Sequence, residues 1–178
     1  ESRLYSVGDI VRSNIGWQEW SAVSAHEVFP VDTSLGPVST AVGVLGMTGL
    51  TAYHGLLDNL KPKAGDVLVV SAASGAVGAV VGQIGKINGC YVIGTAGSDE
   101  KCDYIVDELG FDAAVNYKTQ DISAEFARLA PNGINTFFDN VGGDVFDAVL
   151  DNIAVNARIG ICGQISQYNA IDVPQGPR

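Results

Sequence analysis

The sequence predicts an α/β protein, a doubly wound parallel sheet over residues 36–178, preceded by a short β segment over residues 1–35. Three observations carry that expectation. From Asp66 onward, short apolar runs rich in β-branched residues alternate with longer helical stretches, a pattern that calls for right-handed crossovers in a parallel sheet. A glycine-rich turn, Ser71-Ala-Ala-Ser-Gly-Ala-Val-Gly78, follows directly on the first of those runs and opens a helix. Apolar residues make up 47% of the chain against 17% charged, enough to bury strands on both faces.

The elements follow in order. Residues 7–11, 17–23 and 27–31 look like short strands with turns between them and no helix intervening. Helical stretches over residues 37–44 and 51–60 join this segment to the α/β part, with the boundary near Leu35-Gly36-Pro37. Val67-Leu-Val-Val-Ser71 is a continuous apolar run, the mark of a strand covered on both faces. A helix over residues 76–87, a second strand over 91–95 and a helix over 99–109 closed by Gly110 come next. Residues 113–116 form the third strand, 122–129 a helix, 135–139 the fourth strand, 144–153 a helix and 158–162 the fifth strand.

Bulk properties exclude several classes. With a net charge of −10 the chain has no basic surface for nucleic acid. Its apolar stretches are interrupted by Gly, Ser or Thr and fall short of the ~20 residues a membrane span requires. Cys90, Cys102 and Cys162 are scattered, without a CxxC pair, as in a cytoplasmic protein with reduced thiols. His26 and His54 lack partners at metal-ligand spacing, so no metal site is expected. The start at Glu1, without Met, suggests a piece of a longer protein.

The glycine turn carries the chemistry. Its spacing, Ala73-x-Gly75-x-x-Gly78, is a dinucleotide-binding Rossmann fingerprint with Ala at the first position. Gly75 lets the backbone approach a pyrophosphate, Gly78 lets the helix pack closely, and N–H groups over residues 74–77 would face the phosphates at a helix N-terminus. The alternative is a glycine-rich turn that holds no ligand. At the end of the second strand, Gly94-Thr-Ala-Gly-Ser98 lacks the acid that bonds a ribose 2′-hydroxyl, which removes an obstacle to a 2′-phosphate. If Ser98 caps the next helix, Lys101 sits in its first turn, where a cation opposes the helix dipole unless an anion binds nearby. The alternative there is a solvated lysine balanced by Asp99 and Glu100.

The later strand ends carry Asn116-Tyr117, Asp139-Asn-Val-Gly-Gly143 and Cys162-Gly-Gln-Ile-Ser-Gln-Tyr168. Tyr117 and Asn140 are candidates to touch a cofactor or plain turn residues, with Asp139-Asn140 capping the next helix. Cys162 reads as a buried strand-end thiol, not a nucleophile. Tyr53 is a candidate proton donor facing the cleft, or else a core aromatic.

Together, Gly46-Met-Thr-Gly-Leu-Thr-Ala-Tyr53, the glycine turn, Ser98-Asp-Glu-Lys101, Phe138-Asp-Asn-Val-Gly-Gly143 and Cys162-Gly-Gln-Ile-Ser-Gln-Tyr-Asn169 resemble the medium-chain dehydrogenase/reductase superfamily. The resemblance is to its zinc-independent branch of prostaglandin, double-bond and curcumin reductases. It implies NADPH as cofactor, with the pyrophosphate at Gly75, Ala76, Val77 and Gly78 and the 2′-phosphate at Ser98 and Lys101. It further implies contacts from Tyr117, Asn140 and the loop residues Cys162, Gly163, Ile165, Ser166 and Tyr168, the loop lying near the nicotinamide. Gly46-Met47 stands where zinc-containing relatives carry a cysteine ligand. Residues 1–35 would be the tail of a GroES-like catalytic domain, and the last strand of the nucleotide domain would follow Arg178. The implied activity is NADPH-dependent reduction of the C=C bond of a small α,β-unsaturated aldehyde or ketone by a parent enzyme that dimerises. Quinone reduction and a cofactor-binding module without turnover are the alternatives.

Overall fold

The computed structural model describes residues 4–172 and 176; residues 1–3 and the remaining C-terminal positions of the two expected segments lie outside the described residues. Near the N-terminus β1 (Val11–Arg12) pairs antiparallel with β2 (Phe29–Pro30), Val11 facing Pro30. The strand expected over 17–23 does not form. Trp17 and Trp20 are 106% and 89% exposed, and no neighbouring strand among the described residues offers that run a ladder or a core. A β-propensity without a partner does not make a strand.

A single turn of 3₁₀ helix at Val38–Val42 leads to α1 (Met47–Tyr53), which runs on as a wider-wound π segment, His54–Leu60. This rod starts four residues earlier than residue 51 because Gly46 already takes the extended N-cap conformation. It buries Ala52, Leu56 and Leu60 against the sheet, the spacing of one helical face.

The sheet holds β3 (Val67–Val70), β4 (Tyr91–Ala96), β5 (Ala113–Asn116), β6 (Ile134–Asp139) and β7 (Ile153–Ile161). Their spatial order is β5-β4-β3-β6-β7 and every pair is parallel. Around them lie α2 (Gly78–Ile87), α3 (Asp99–Asp103) extended by a π turn over Tyr104–Glu108, α4 (Ile122–Leu129) and α5 (Asp144–Asp151).

Alternation along the strands builds two cores. Leu68, Val70, Val92 and Phe138 face α1 and α2, whereas Val69, Ile93, Val115 and Phe137 face α4 and α5. The expected doubly wound sheet is what forms, with helices covering both faces. Strand β7 departs from expectation by starting at Ile153. Ile134 faces Ile153 but Thr136 faces Arg158, so residues 154–157 bulge out of the ladder, with Asn156 at φ 62°. Asn tolerates that left-handed turn, and the bulge interrupts the apolar run from which a strand is read.

From β3 the chain winds outward to β4 and β5, then returns to place β6 on the other side of β3. The reversal opens a crevice at the carboxyl ends of β3 and β6, where a ligand binds in sheets of this kind.

Candidate functional site

All but one of the candidate residues sit at the carboxyl end of the sheet. The turn after β3 is held from behind. Ser71 N–H donates to Phe138 O at 3.2 Å, Ala73 N–H to Thr95 O at 3.0 Å and Gly75 N–H to Ala72 O at 2.9 Å. The N–H groups of Ser74, Ala76, Val77 and Gly78 find no protein acceptor among the described residues. Gly75 and Ala76 are exposed, and the four groups lie at the head of α2. The left-handed residue of the turn is Ala72, φ 48°, one position before the Ala73 that stands for the first glycine of the fingerprint. Gly78 is required by contact: a Cβ there would lie 2.4 Å from Ala72 O. Any side chain would push the helix off the turn.

A second cluster forms at the ends of β4 and β5. Ser98 is the N-cap of α3, its Oγ accepting from Lys101 N–H at 3.4 Å, so Lys101 stands in the first turn. The Ser98 hydroxyl beside Glu100 holds that carboxyl below the usual range. Asn116 Nδ2 donates to Asp99 Oδ1 at 2.7 Å, tying the end of β5 to the start of α3. Tyr117 lies over Gly97: a Cβ on that glycine would be 2.7 Å from the phenolic oxygen and 3.3 Å from Lys118 Cε. Tyr117 and Lys118 thus both come up against Gly97, the residue before the Ser98 cap, and neither Lys101 nor Lys118 takes part in any ion pair among the described residues. Lys118 was not singled out by sequence; its neighbourhood to Gly97 depends on the pairing of β5 with β4.

The third part joins β3, β6 and β7. Asp139, fully buried, accepts from Ser71 Oγ at 2.7 Å, from Val141 N–H at 3.0 Å and from Gly142 N–H at 3.0 Å and 3.1 Å. It caps this turn and not the following helix, whose N-cap is Gly143. Asn140 Nδ2 donates to Ser71 O at 2.8 Å. The loop after β7 hangs from the same place: Cys162 N–H and Gly163 N–H donate to Asp139 O, and Ile165 N–H donates to Asn140 O. Ser166 Oγ donates to Val141 O at 2.6 Å, and Tyr168 folds back so that its hydroxyl accepts from Gln164 N–H at 3.1 Å.

Beside that loop lies a cavity of about 440 Å³ lined by Thr51, Gly55, Asn59, Phe138 and Cys162. Cys162 is exposed there, contrary to the buried thiol expected, because β7 ends at Ile161 and the thiol falls beyond the ladder. Desolvation pushes its thiol up, and the Asp139 carboxylate adds to the shift. Tyr53 is the candidate left apart. It is half exposed, its ring meets His54 edge-on, and it is not among the residues lining the cavity. His54 itself pairs with Asp58 one turn on. No three His, Cys, Asp or Glu side chains among the described residues converge as metal ligands would.

Known proteins share this architecture. The zinc-binding dehydrogenase family profile matches residues 76–176. The NADPH-dependent curcumin reductase of Escherichia coli (strain K12) is 46% identical over 173 residues, 97% of this chain and 50% of that protein. Prostaglandin reductase 1 of Mus musculus is 50% identical over 182 residues, 99% of this chain and 55% of that protein. The crystal structure of CurA from Vibrio vulnificus in complex with NADPH superposes with a TM-score of 0.91 at 50% identity, covering 98% of this chain and 52% of that one. The chain thus spans about half the length of the curated relatives it matches. With the doubly wound sheet, the glycine turn and these matches in hand, the chain belongs to the zinc-binding dehydrogenase family.

Proposed function

We propose that the protein holding this chain binds NADPH and reduces the C=C bond of small α,β-unsaturated aldehydes or ketones. The observation that carries this reading is the row of N–H groups over residues 74 and 76–78 that have no protein acceptor among the described residues, at the same sheet end as Lys101. Gly75, Ala76, Val77 and Gly78 would hold the pyrophosphate through these donors and the helix dipole. Lys101, Ser98 and Tyr117 would hold the 2′-phosphate, a role in which an unpaired cation in a first helical turn is favourable. Asn140 and the loop residues Cys162, Gly163, Ile165, Ser166 and Tyr168 would face the nicotinamide end. When bound, NADPH supplies the hydride; the chain's own residues bind, orient and shield it from water. Relatives named for curcumin and prostaglandin substrates support the enone class over quinones.

Several finer points belong to the same reading. Zinc takes no part, since Gly46-Met47 offers no thiolate where zinc-containing relatives place one. The domain boundary falls at residues 35 and 36, supported by the change there from hairpin to helix and parallel sheet. The protein works in the cytoplasm as a homodimer, a setting that three free cysteines fit.

Calorimetric titration with NADPH and with NADH tests the assignment. NADPH should bind at least about tenfold more tightly, and Lys101→Ala should erase the difference, as for loss of one charge-assisted contact. Equal affinity for the two cofactors would overturn it. Steady-state rates with an enone and with a quinone then choose between the two acceptor classes.

A further inference from the structure

The buried polar network at the crevice is more than turn chemistry. A carboxylate withdrawn from water is costly unless every lone pair is used. Asp139 is fully buried, and among the described residues no lysine or arginine pairs with it. Its charge is met only by donors: the Ser71 hydroxyl and the N–H groups of Val141 and Gly142. Ser71 is buried as well. Its hydroxyl donates to Asp139 and accepts from Asn140 N–H at 2.7 Å, so its single proton is committed within the network and cannot go to a ligand. The side chain of Asp139 thus fixes the path of residues 140–142. The main chain of residues 139–141 carries the loop after β7, through Asp139 O to Cys162 and Gly163, through Asn140 O to Ile165 and through Val141 O to Ser166. Among the described residues no hydrogen bond links this network to Ser98, Lys101 or Tyr117: Ser98 Oγ accepts from Lys101 N–H, Ser98 O accepts from Cys102 N–H, and Tyr117 N–H donates to Ala96 O.

Resting on the NADPH reading above, we propose that Asp139 is a positioning residue for one half of the cofactor. Through Ser71 and the 140–142 turn it sets Asn140 and the 162–168 loop, and it leaves the adenosine half untouched. The cofactor site is then two mechanically separate parts on one sheet end. The far part depends on a buried carboxylate that never touches the cofactor.

The test compares binding of NADPH with binding of 2′,5′-ADP, which carries the adenosine half alone, to the wild-type protein and to Asp139→Asn. The isosteric amide keeps the volume but turns an NH₂ toward donors, so at least one buried bond is lost. NADPH affinity should fall about tenfold or more, the factor expected for one charge-assisted bond, while 2′,5′-ADP affinity stays within about twofold. Ser71→Ala, which removes the hydroxyl's bonds to Asp139 and from Asn140 N–H and keeps the carboxylate, should show the same selective loss, and it decides the matter if Asp139→Asn does not fold. An equal loss for both ligands, or none for either, would overturn the proposal while leaving the NADPH assignment intact. Failure of the wild-type protein to bind either ligand would overturn the assignment and this inference together.

Discussion

Two side chains show how much a single polar atom decides at the residue scale. Thr95 is fully buried in β4 and its hydroxyl has no hydrogen-bond partner among the described residues, although its carbonyl accepts from Ala73 N–H. A buried hydroxyl left unpaired costs about 1–3 kcal/mol. Thr95→Val removes that oxygen and keeps the branched shape, so it should raise unfolding stability by about 1 kcal/mol in urea titration. A loss of stability would mean the hydroxyl has a partner. Cys162 presents the opposite case, an exposed residue whose thiol is hard to ionise. Desolvation first and Asp139 second raise its pKa, and only the thiolate attacks an alkylating agent. Iodoacetamide labelling of the folded protein should therefore lag that of the unfolded chain at pH 8 and catch up only at more alkaline pH. Mass spectrometry of the Cys162 peptide reads the profile; equal rates at pH 8 would contradict the shift.

Caps and strand ends decide the behaviour of whole elements. Asp121 caps α4, its Oδ1 accepting from Ala124 N–H at 3.0 Å, whereas Ser98 caps α3 through a longer 3.4 Å contact. Asp121→Ala should cost about 1 kcal/mol in urea denaturation, and Ser98→Ala should cost less, because the weaker bond has less to lose. The reverse ranking would show that the cofactor-side cap is the stronger structural one. The Ser98 cap was legible in the sequence because donor and acceptor lie three residues apart; the Asp121 cap has the same spacing but was not singled out. The glycine turn was legible for the same reason, and so were the strands whose apolar runs are unbroken. Other features escaped. Asp139 looked like a helix cap because its partner Ser71 is 68 residues away, and only the pairing of β3 with β6 brings them together. The first five residues of β7 were lost because Asn156 breaks the run that defines a strand. The stretch around Trp17 and Trp20 had strand-like composition but no neighbour to pair with. What the sequence hides is contact between distant segments; what it displays is local chemistry.

At the scale of the whole molecule, two forces oppose each other at the sheet edge. Among the described residues strand β7 is paired only with β6, and it carries Ile153, Val155 and Ile161 at 37%, 90% and 60% exposure. Its one charged residue, Arg158, is turned back onto Asp66 and the Lys61 carbonyl and does not guard the edge. Such an edge invites a second strand. Against it stands the net charge of −10, which repels copies of the chain over about a Debye length, ~30 Å at 0.01 M salt and ~8 Å at 0.15 M. Light scattering of the purified 178-residue chain should then show little association at low salt and growing association as salt is added. Val155→Lys separates the two forces. It changes the net charge from −10 to −9 (−10 + 1), so repulsion between copies weakens and charge alone predicts more association. A lysine on an open edge instead obstructs strand pairing. If pairing through β7 drives association, the variant should scatter less at every salt concentration despite its smaller charge. Greater scattering by the variant would show that net repulsion, and not the edge, governs how these molecules meet.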